Sequence, residues 1–194
     1  MPSGSRPDLI VVGRSGRHSL GRFLLGSAAE RIGRHAPCSV AVFPPEETAA
    51  ASPPRVLAGY DGSDRSKEAV RIASTLAAAL SAGLLVVYVL NYRVPFAGTP
   101  PESARELMRE HAAALLQQGC SGLSAPLESV QSELRSGDPR AGLVAAAKEH
   151  RPLFLVVGDR GAGGFPGLIL GSTTDEAVRS AECAVLVVKD SEPA

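Results

Sequence analysis

Two stretches of this chain carry one frame. GRSGRHSLGRFLLGS spans Gly13–Ser27 and GDRGAGGFPGLILGS spans Gly158–Ser172; both read G-x2-G-x9-G-S. Sliding the chain against itself by 145 positions aligns Val11–Phe43 with Val156–Val188 without a gap. Val11, Val12, Gly13, Gly16, Leu25, Gly26, Ser27, Arg34, Ala36, Cys38, Val40 and Val42 then each meet an identical residue. Chance at ordinary composition would give roughly two or three such matches. An internal repeat constrains the fold before any local reading does. Its spacing is too long for a solenoid unit and is about the size of a small domain.

The residues between the copies supply the rest of that domain. RVLAGYDGS, from Arg55 to Ser63, is an apolar run closing on turn residues, as at a strand-to-helix junction. Ala69, Val70, Ile72, Ala73, Leu76, Ala77 and Leu80 follow at helical spacing. Ser63 is placed as N-cap and Gly83 as the residue after the helix. LLVVYVL, Leu84–Leu90, suits a strand buried on both faces. Glu102–Gly119 reads as a second helix, and Leu127–Gly137 as a weaker outer strand. Asp138 and Pro139 open a third helix as N-cap and first helical residue. Leu153–Gly158, a helix from about Ser172 to Arg179, and Ala184–Val188 complete a βαβαβαβαβ order. Such alternation predicts a parallel sheet covered by helices on both faces.

The first copy matches only the end of that unit: strand LIVVG, helix GSAAERIGRH and strand CSVAVF. Subtracting 145 from Arg55 places the start of a full first copy about ninety residues before Met1. The expected organisation is a β-α-β remnant over 1–46, a Pro/Ala/Ser linker over 47–54 and a complete domain over 55–190.

Composition narrows the function classes. Twenty basic and twenty acidic residues cancel, so no nucleic-acid or anionic-membrane partner is expected. No apolar run reaches the length of a membrane span, and MPSGSRPD lacks the apolar core of a secretory signal. A cytoplasmic protein is expected. Cys38 and Cys183 occupy equivalent repeat positions in apolar runs and read as small buried hydrophobes. No metal-ligand spacing and no Ser/His/Asp set is present, so no catalytic or metal-binding residue is assigned. His111, on the second helix, reads as a surface histidine rather than a catalyst.

The glycine frame has its own chemistry. Gly158 ends a strand, and Gly161 and Gly171 bracket a loop into a helix beginning near Ser172 and Thr173. Glycines let backbone N–H groups approach an anion, and a helix N-terminus adds unpaired donors. The plainer alternative is a tight connection with Ser172 as N-cap. The Walker lysine motif G-x4-G-K-[ST] is absent, so this is not a P-loop ATPase.

LAGYDGS with Ser63, Ser66 and Ala69, SGDP before the third helix, and G-x2-G-x9-G-S before the fourth together resemble the universal stress protein family. The resemblance covers 55–189 and 8–43. It implies an open five-stranded parallel sheet of order 3-2-1-4-5, with the β-α-β fragment ahead of it. It further implies an ATP site formed by Asp61, Val89, Gly158, Gly161, Gly171, Ser172 and Thr173, with Val89 acting through its backbone and Mg²⁺ accompanying the phosphates. ATP would act as a conformational ligand in a stress-response role, not as a rapidly turned-over substrate. Family domains pair through their last strands, so SVAVF is expected antiparallel to AVLVV within the chain, or the chain forms a homodimer. Asp159 and Pro166 depart from the family pattern, the former by placing a carboxylate beside the phosphate loop. The alternatives are an interaction module of the same fold that binds no nucleotide, and an adenylate-transferring enzyme.

Overall fold

The structure, a computed structural model, describes residues 7–14, 31–32, 35–45, 49–92, 100–121, 123, 129–162 and 170–189 of the chain. Its strands are β1 (Leu9–Gly13), β2 (Ser39–Phe43), β3 (Arg55–Tyr60), β4 (Gly83–Leu90), β5 (Val130–Ser136), β6 (Phe154–Gly158) and β7 (Ala184–Val188). Between them lie α1 (Asp64–Ala79), α2 (Glu102–Cys120), α3 (Pro139–His150) and α4 (Ser172–Ser180). Of the helix expected in GSAAERIGRH, only Arg31, Ile32 and His35 are described, and they are helical.

All seven strands form one sheet, in the order β1-β2-β7-β6-β3-β4-β5. Every neighbouring pair is parallel except β2 with β7. The expected order 3-2-1-4-5 survives as β5-β4-β3-β6-β7, but not as a separate five-stranded sheet. Hydrogen bonding continues through β2 to β1, because the outer edge of β7 offers unpaired backbone groups that β2 satisfies.

Alternate strand residues feed two cores. Leu57, Leu85, Val87, Leu155, Val157, Val185 and Val187 face α3 and α4, meeting Leu143, Ala146, Ala147, Ala177 and Val178. Val56, Ala58, Leu84, Val86, Val156, Leu186 and Val188 face α1 and α2, meeting Val70, Ala73, Ala77 and Leu116. Burial on both faces is why these strands read as continuous apolar runs.

The helix starts follow local chemistry. Ser63 Oγ accepts from the Ser66 N–H at 3.2 Å, and Asp138 Oδ1 from the Arg140 N–H at 2.9 Å, with Pro139 in the first turn. Gly83 does not end α1. The chain turns earlier, through Leu80 and a left-handed Ser81, and Gly83 opens β4. Only Ala112 and Leu116 of α2 are buried; its outer face carries Glu102–Arg105 and Glu106–Arg109 ion pairs. Among the described residues, no helix is long and apolar enough to cross a membrane.

The repeat reappears as geometry. β1 and β2 pair from Leu9↔Ser39 to Gly13↔Phe43, and β6 and β7 from Phe154↔Ala184 to Gly158↔Val188. Adding 145 to each residue of the first set gives the second. The antiparallel seam runs Val40↔Val187, Ala41↔Leu186, Val42↔Val185, so a local two-fold axis passes between the equivalent residues Ala41 and Leu186. Across it, cations cap equivalent carbonyls. Arg14 Nη1 donates to Ala181 O at 2.5 Å, and Lys189 Nζ to Ala36 O at 3.0 Å. Both carbonyls lie at helix C-termini, where positive charge is favoured.

Candidate functional site

A cleft of about 770 Å³ opens at the C-terminal ends of β3, β4 and β6. From β3 the chain leaves to α1 on one face of the sheet, and from β6 it leads to α4 on the other. The gap between the two departures is where open α/β sheets place ligands. Asp61, Val89, Gly158, Gly161, Gly171, Ser172 and Thr173 all line this cleft.

Asp61 spans its floor. Oδ1 accepts from the Ser63 N–H at 3.0 Å and from the Ser63 hydroxyl at 2.6 Å. Oδ2 accepts from the Ala162 N–H at 2.7 Å, joining the β3 turn to the loop after β6. Gly62, at φ +84°, supplies the left-handed residue this turn requires. Asp61 therefore has a structural role, and three of its roughly four acceptor positions are in use.

The glycines are spaces as much as hinges. A Cβ on Gly161 would collide with Asp61 Oδ2. One on Gly158 would stand 2.8 Å from Arg65 Cβ, so Gly158 admits the first turn of α1. Gly171 donates from its N–H to Asp159 O at 2.7 Å. Gly171, not Ser172, is the N-cap of α4, and no side chain caps the helix. Ser172 and Thr173 are thus first-turn residues whose own N–H groups point outward from a helix start. Thr174, which follows them, turns inward and donates from Oγ1 to Gly158 O at 2.6 Å, tying α4 to the end of β6.

Val89 meets the cleft differently. Its side chain packs on α3, where a Cβ on Gly142 would come within 2.7 Å of Cγ1. The neighbouring Tyr88 lies on the opposite face against Tyr60, with ring centroids 6.4 Å apart. Burial foremost, with the Asp61 charge adding, raises the Tyr88 phenol above its usual pKa and keeps it a neutral donor.

The carboxylate of Asp159 is not loose beside the loop. It is buried, with Arg65 Nε 3.2 Å from Oδ1 and Arg160 Nε 3.5 Å from Oδ2. These separations set ion pairing; Oδ1 receives no well-aligned hydrogen bond. Pro166 and the rest of 163–169 lie outside the described residues.

Sequence reasoning missed one wall. Met108, His111 and Ala112 of α2 line the cleft, as does Arg160. His111 is exposed, as expected of a surface histidine, yet it borders the site. Their spacing of three and four along a helix was the available signal. Among the described residues, no cluster of His, Cys, Asp or Glu is arranged to hold a metal ion. The three cysteines are free, and burial pushes the Cys183 thiol up to about 11, away from reactivity. Of the first glycine frame only Gly13 is described, at the end of β1; Gly16, Gly26 and Ser27 lie outside the described residues.

The chain resembles known proteins over nearly its whole length. The family model described as the universal stress protein family matches residues 4–44 and 54–189. A universal stress protein of Methanocaldococcus jannaschii is 30% identical over 139 residues, covering 70% of this chain and 81% of its own. One from Mycolicibacterium smegmatis is 32% identical over 186 residues, covering 94% of this chain and 62% of its own. The chain thus spans about three fifths of that mycobacterial relative. A solved universal stress protein in complex with cAMP superimposes with a TM-score of 0.56 at 27% identity, over 70% of this chain and 97% of its own. With its glycine frame, its strand-end aspartate and a sheet that brings them to one cleft, this chain belongs to the universal stress protein family.

Proposed function

We propose that the cleft binds an adenine nucleotide, ATP in the first instance, as a conformational ligand in a stress-response role. The observation that carries this is convergence: seven residues from four separate parts of the sequence line one cleft. The donor set suits the ligand. An uncapped α4 start and a glycine loop present N–H groups to phosphates. The free acceptor position on Asp61 and the Val89 backbone are suited to the edge of a base. The cleft volume is within the usual range for a nucleotide-sized ligand. Mg²⁺ would enter with the phosphates, since no protein cluster among the described residues is arranged to hold it. The cAMP complex of a family member supports adenine as the base.

In this reading residues 55–190 form the nucleotide-binding unit, 47–54 the link and 1–46 a partial first copy. ATP is held rather than hydrolysed, and a phosphate-release assay tests that part. Mass spectrometry of the nucleotide copurifying with the chain, followed by calorimetry with ATP and cAMP, tests the whole. A stoichiometry of about one per chain is expected, because a phosphate loop without a base pocket offers contacts worth little against the cost of association. Failure of every adenine nucleotide to bind would leave the interaction module as the better reading.

A further inference from the structure

The local two-fold also says what is missing from one edge of the sheet. β1 stands to β2 as β6 stands to β7, pair for pair. The far edge of β6 is taken by β3, parallel, in the register Val56↔Phe154, Leu57↔Leu155, Ala58↔Val156. The equivalents of Phe154, Leu155 and Val156 on β1 are Leu9, Ile10 and Val11. Among the described strands, β1 has no second neighbour.

Exposure follows that difference. Leu155 and Val156 are 0% exposed, whereas Val11 is 60% and Leu9 48% exposed. Val156 lies under α1 in a core shared with Val70, Ala73 and Ala77; Val11 has no such cover. Both the hydrogen-bonding edge of β1 and the face that a helix would cover are open. An apolar strand edge of this kind is a template for pairing.

We propose that the β1 edge is an acceptor for a parallel strand–turn–helix segment of the β3–α1 type, supplied by another polypeptide. The proposal is independent of the nucleotide reading. The occupant is specified by the repeat: an apolar strand aligned opposite Leu9, Ile10 and Val11, followed by an amphipathic helix laid over Val11. A second copy joined edge to edge, β1 to β1, would satisfy the backbone but leave the face above Val11 without the helix that covers Val156. The M. smegmatis relative, matched over 62% of its length, carries further chain beyond the aligned part, so such segments occur beside this architecture.

The test uses the full chain and a labelled synthetic peptide of its own residues 54–80, the β3–α1 sequence, as probe. Saturable binding is expected by fluorescence anisotropy, with new hydrogen-exchange protection over residues 9–13. Val11→Lys should weaken binding at least about tenfold, the loss expected when one buried Val side chain is exchanged for a charge. Leu9→Lys is the second variant, and both side chains already meet water, so folding is retained. No saturable binding overturns the proposal, as does protection confined to β6, which would mean exchange with the resident β3. A concentration-dependent dimer that Val11→Lys dissolves would make the occupant a second copy and also overturn it.

Discussion

Replacing Asp61 by Ala removes three hydrogen bonds of different consequence. Two of them, to the Ser63 N–H at 3.0 Å and the Ser63 hydroxyl at 2.6 Å, hold the turn into α1. The third, to the Ala162 N–H at 2.7 Å, holds the loop after β6 against the β3 turn. A bond to a charged acceptor is worth roughly 1.5–3 kcal/mol, but water replaces much of it at a solvent-open site, so a total of about 1–2 kcal/mol of stability is expected. That lowers Tm by about 2–8 °C in a chain of this size. Nucleotide binding suffers twice, through the loosened loop and the lost acceptor for the base. A loss of roughly 1–3 kcal/mol corresponds to about 5- to 150-fold weaker ATP binding. Asp61→Asn separates the two effects. Its amide oxygen can still accept from Ser63, while its NH2 group opposes the Ala162 N–H. The turn is kept and the loop closure is not, so Tm should move little while affinity falls nearly as far as in Asp61→Ala. Calorimetry with ATP and thermal unfolding on the same preparations provide both readings. Wild-type ATP affinity in Asp61→Asn would refute the argument and reduce Asp61 to a turn residue.

Three further perturbations follow from the packing. Gly161→Val needs no left-handed backbone but drives a Cβ into Asp61 Oδ2, so the loop must open; ATP binding should be lost while stability changes by less than about 1 kcal/mol, since the site is exposed, as melting and calorimetry would show. Arg14→Met leaves the Ala181 carbonyl without its donor yet relieves a buried charge, and these partly cancel; a net loss of about 1–2 kcal/mol is expected by urea unfolding, and wild-type stability would argue against the cross-axis cap. Asp138 titrates at about 2, held down first by its bonds to Arg140. A depressed carboxyl contributes stability above its unfolded pKa of about 3.9 and loses it as pH falls toward 2. Asp138→Asn should therefore flatten a small acid-side decline in Tm between about pH 5 and 2; an unchanged decline would place its origin elsewhere.

What was legible in the sequence was what local chemistry decides alone. Ala184–Val188 and the Ser63 and Asp138 caps stand where pattern and side chain place them. Gly83 and Ser172 were misread for a shared reason. A glycine after a helix and a serine before one each have a common capping role, but here Ser81 took the left-handed turn and Gly171 the cap. The number of strands in the sheet depended on whether β2 would find β7, a contact between residues about 145 apart that periodicity does not encode. The apolar match of SVAVF to AVLVV was the only signal for it. In the site, the loop and the strand-end aspartate were readable because their residue types are unusual. The α2 wall was not, because Met108 and His111 are ordinary residues on a mostly solvated helix. Asp159 could not be judged from one dimension, since its partner Arg65 lies ninety-four residues away by subtraction of their numbers.

The seam between β2 and β7 joins strands carried on one polypeptide, connected on the β2 side by little more than residues 44–54. A tether that short keeps β2 at an effective concentration on the order of millimolar beside β7. Free molecules at ordinary micromolar levels then compete poorly for the same edge. An association that between separate domains would obey mass action becomes, in this chain, part of its folding equilibrium. Its unfolding midpoint should stay constant over about a hundredfold dilution, as for a monomeric transition. A midpoint that falls on dilution would show that the seam is exchanged between molecules instead.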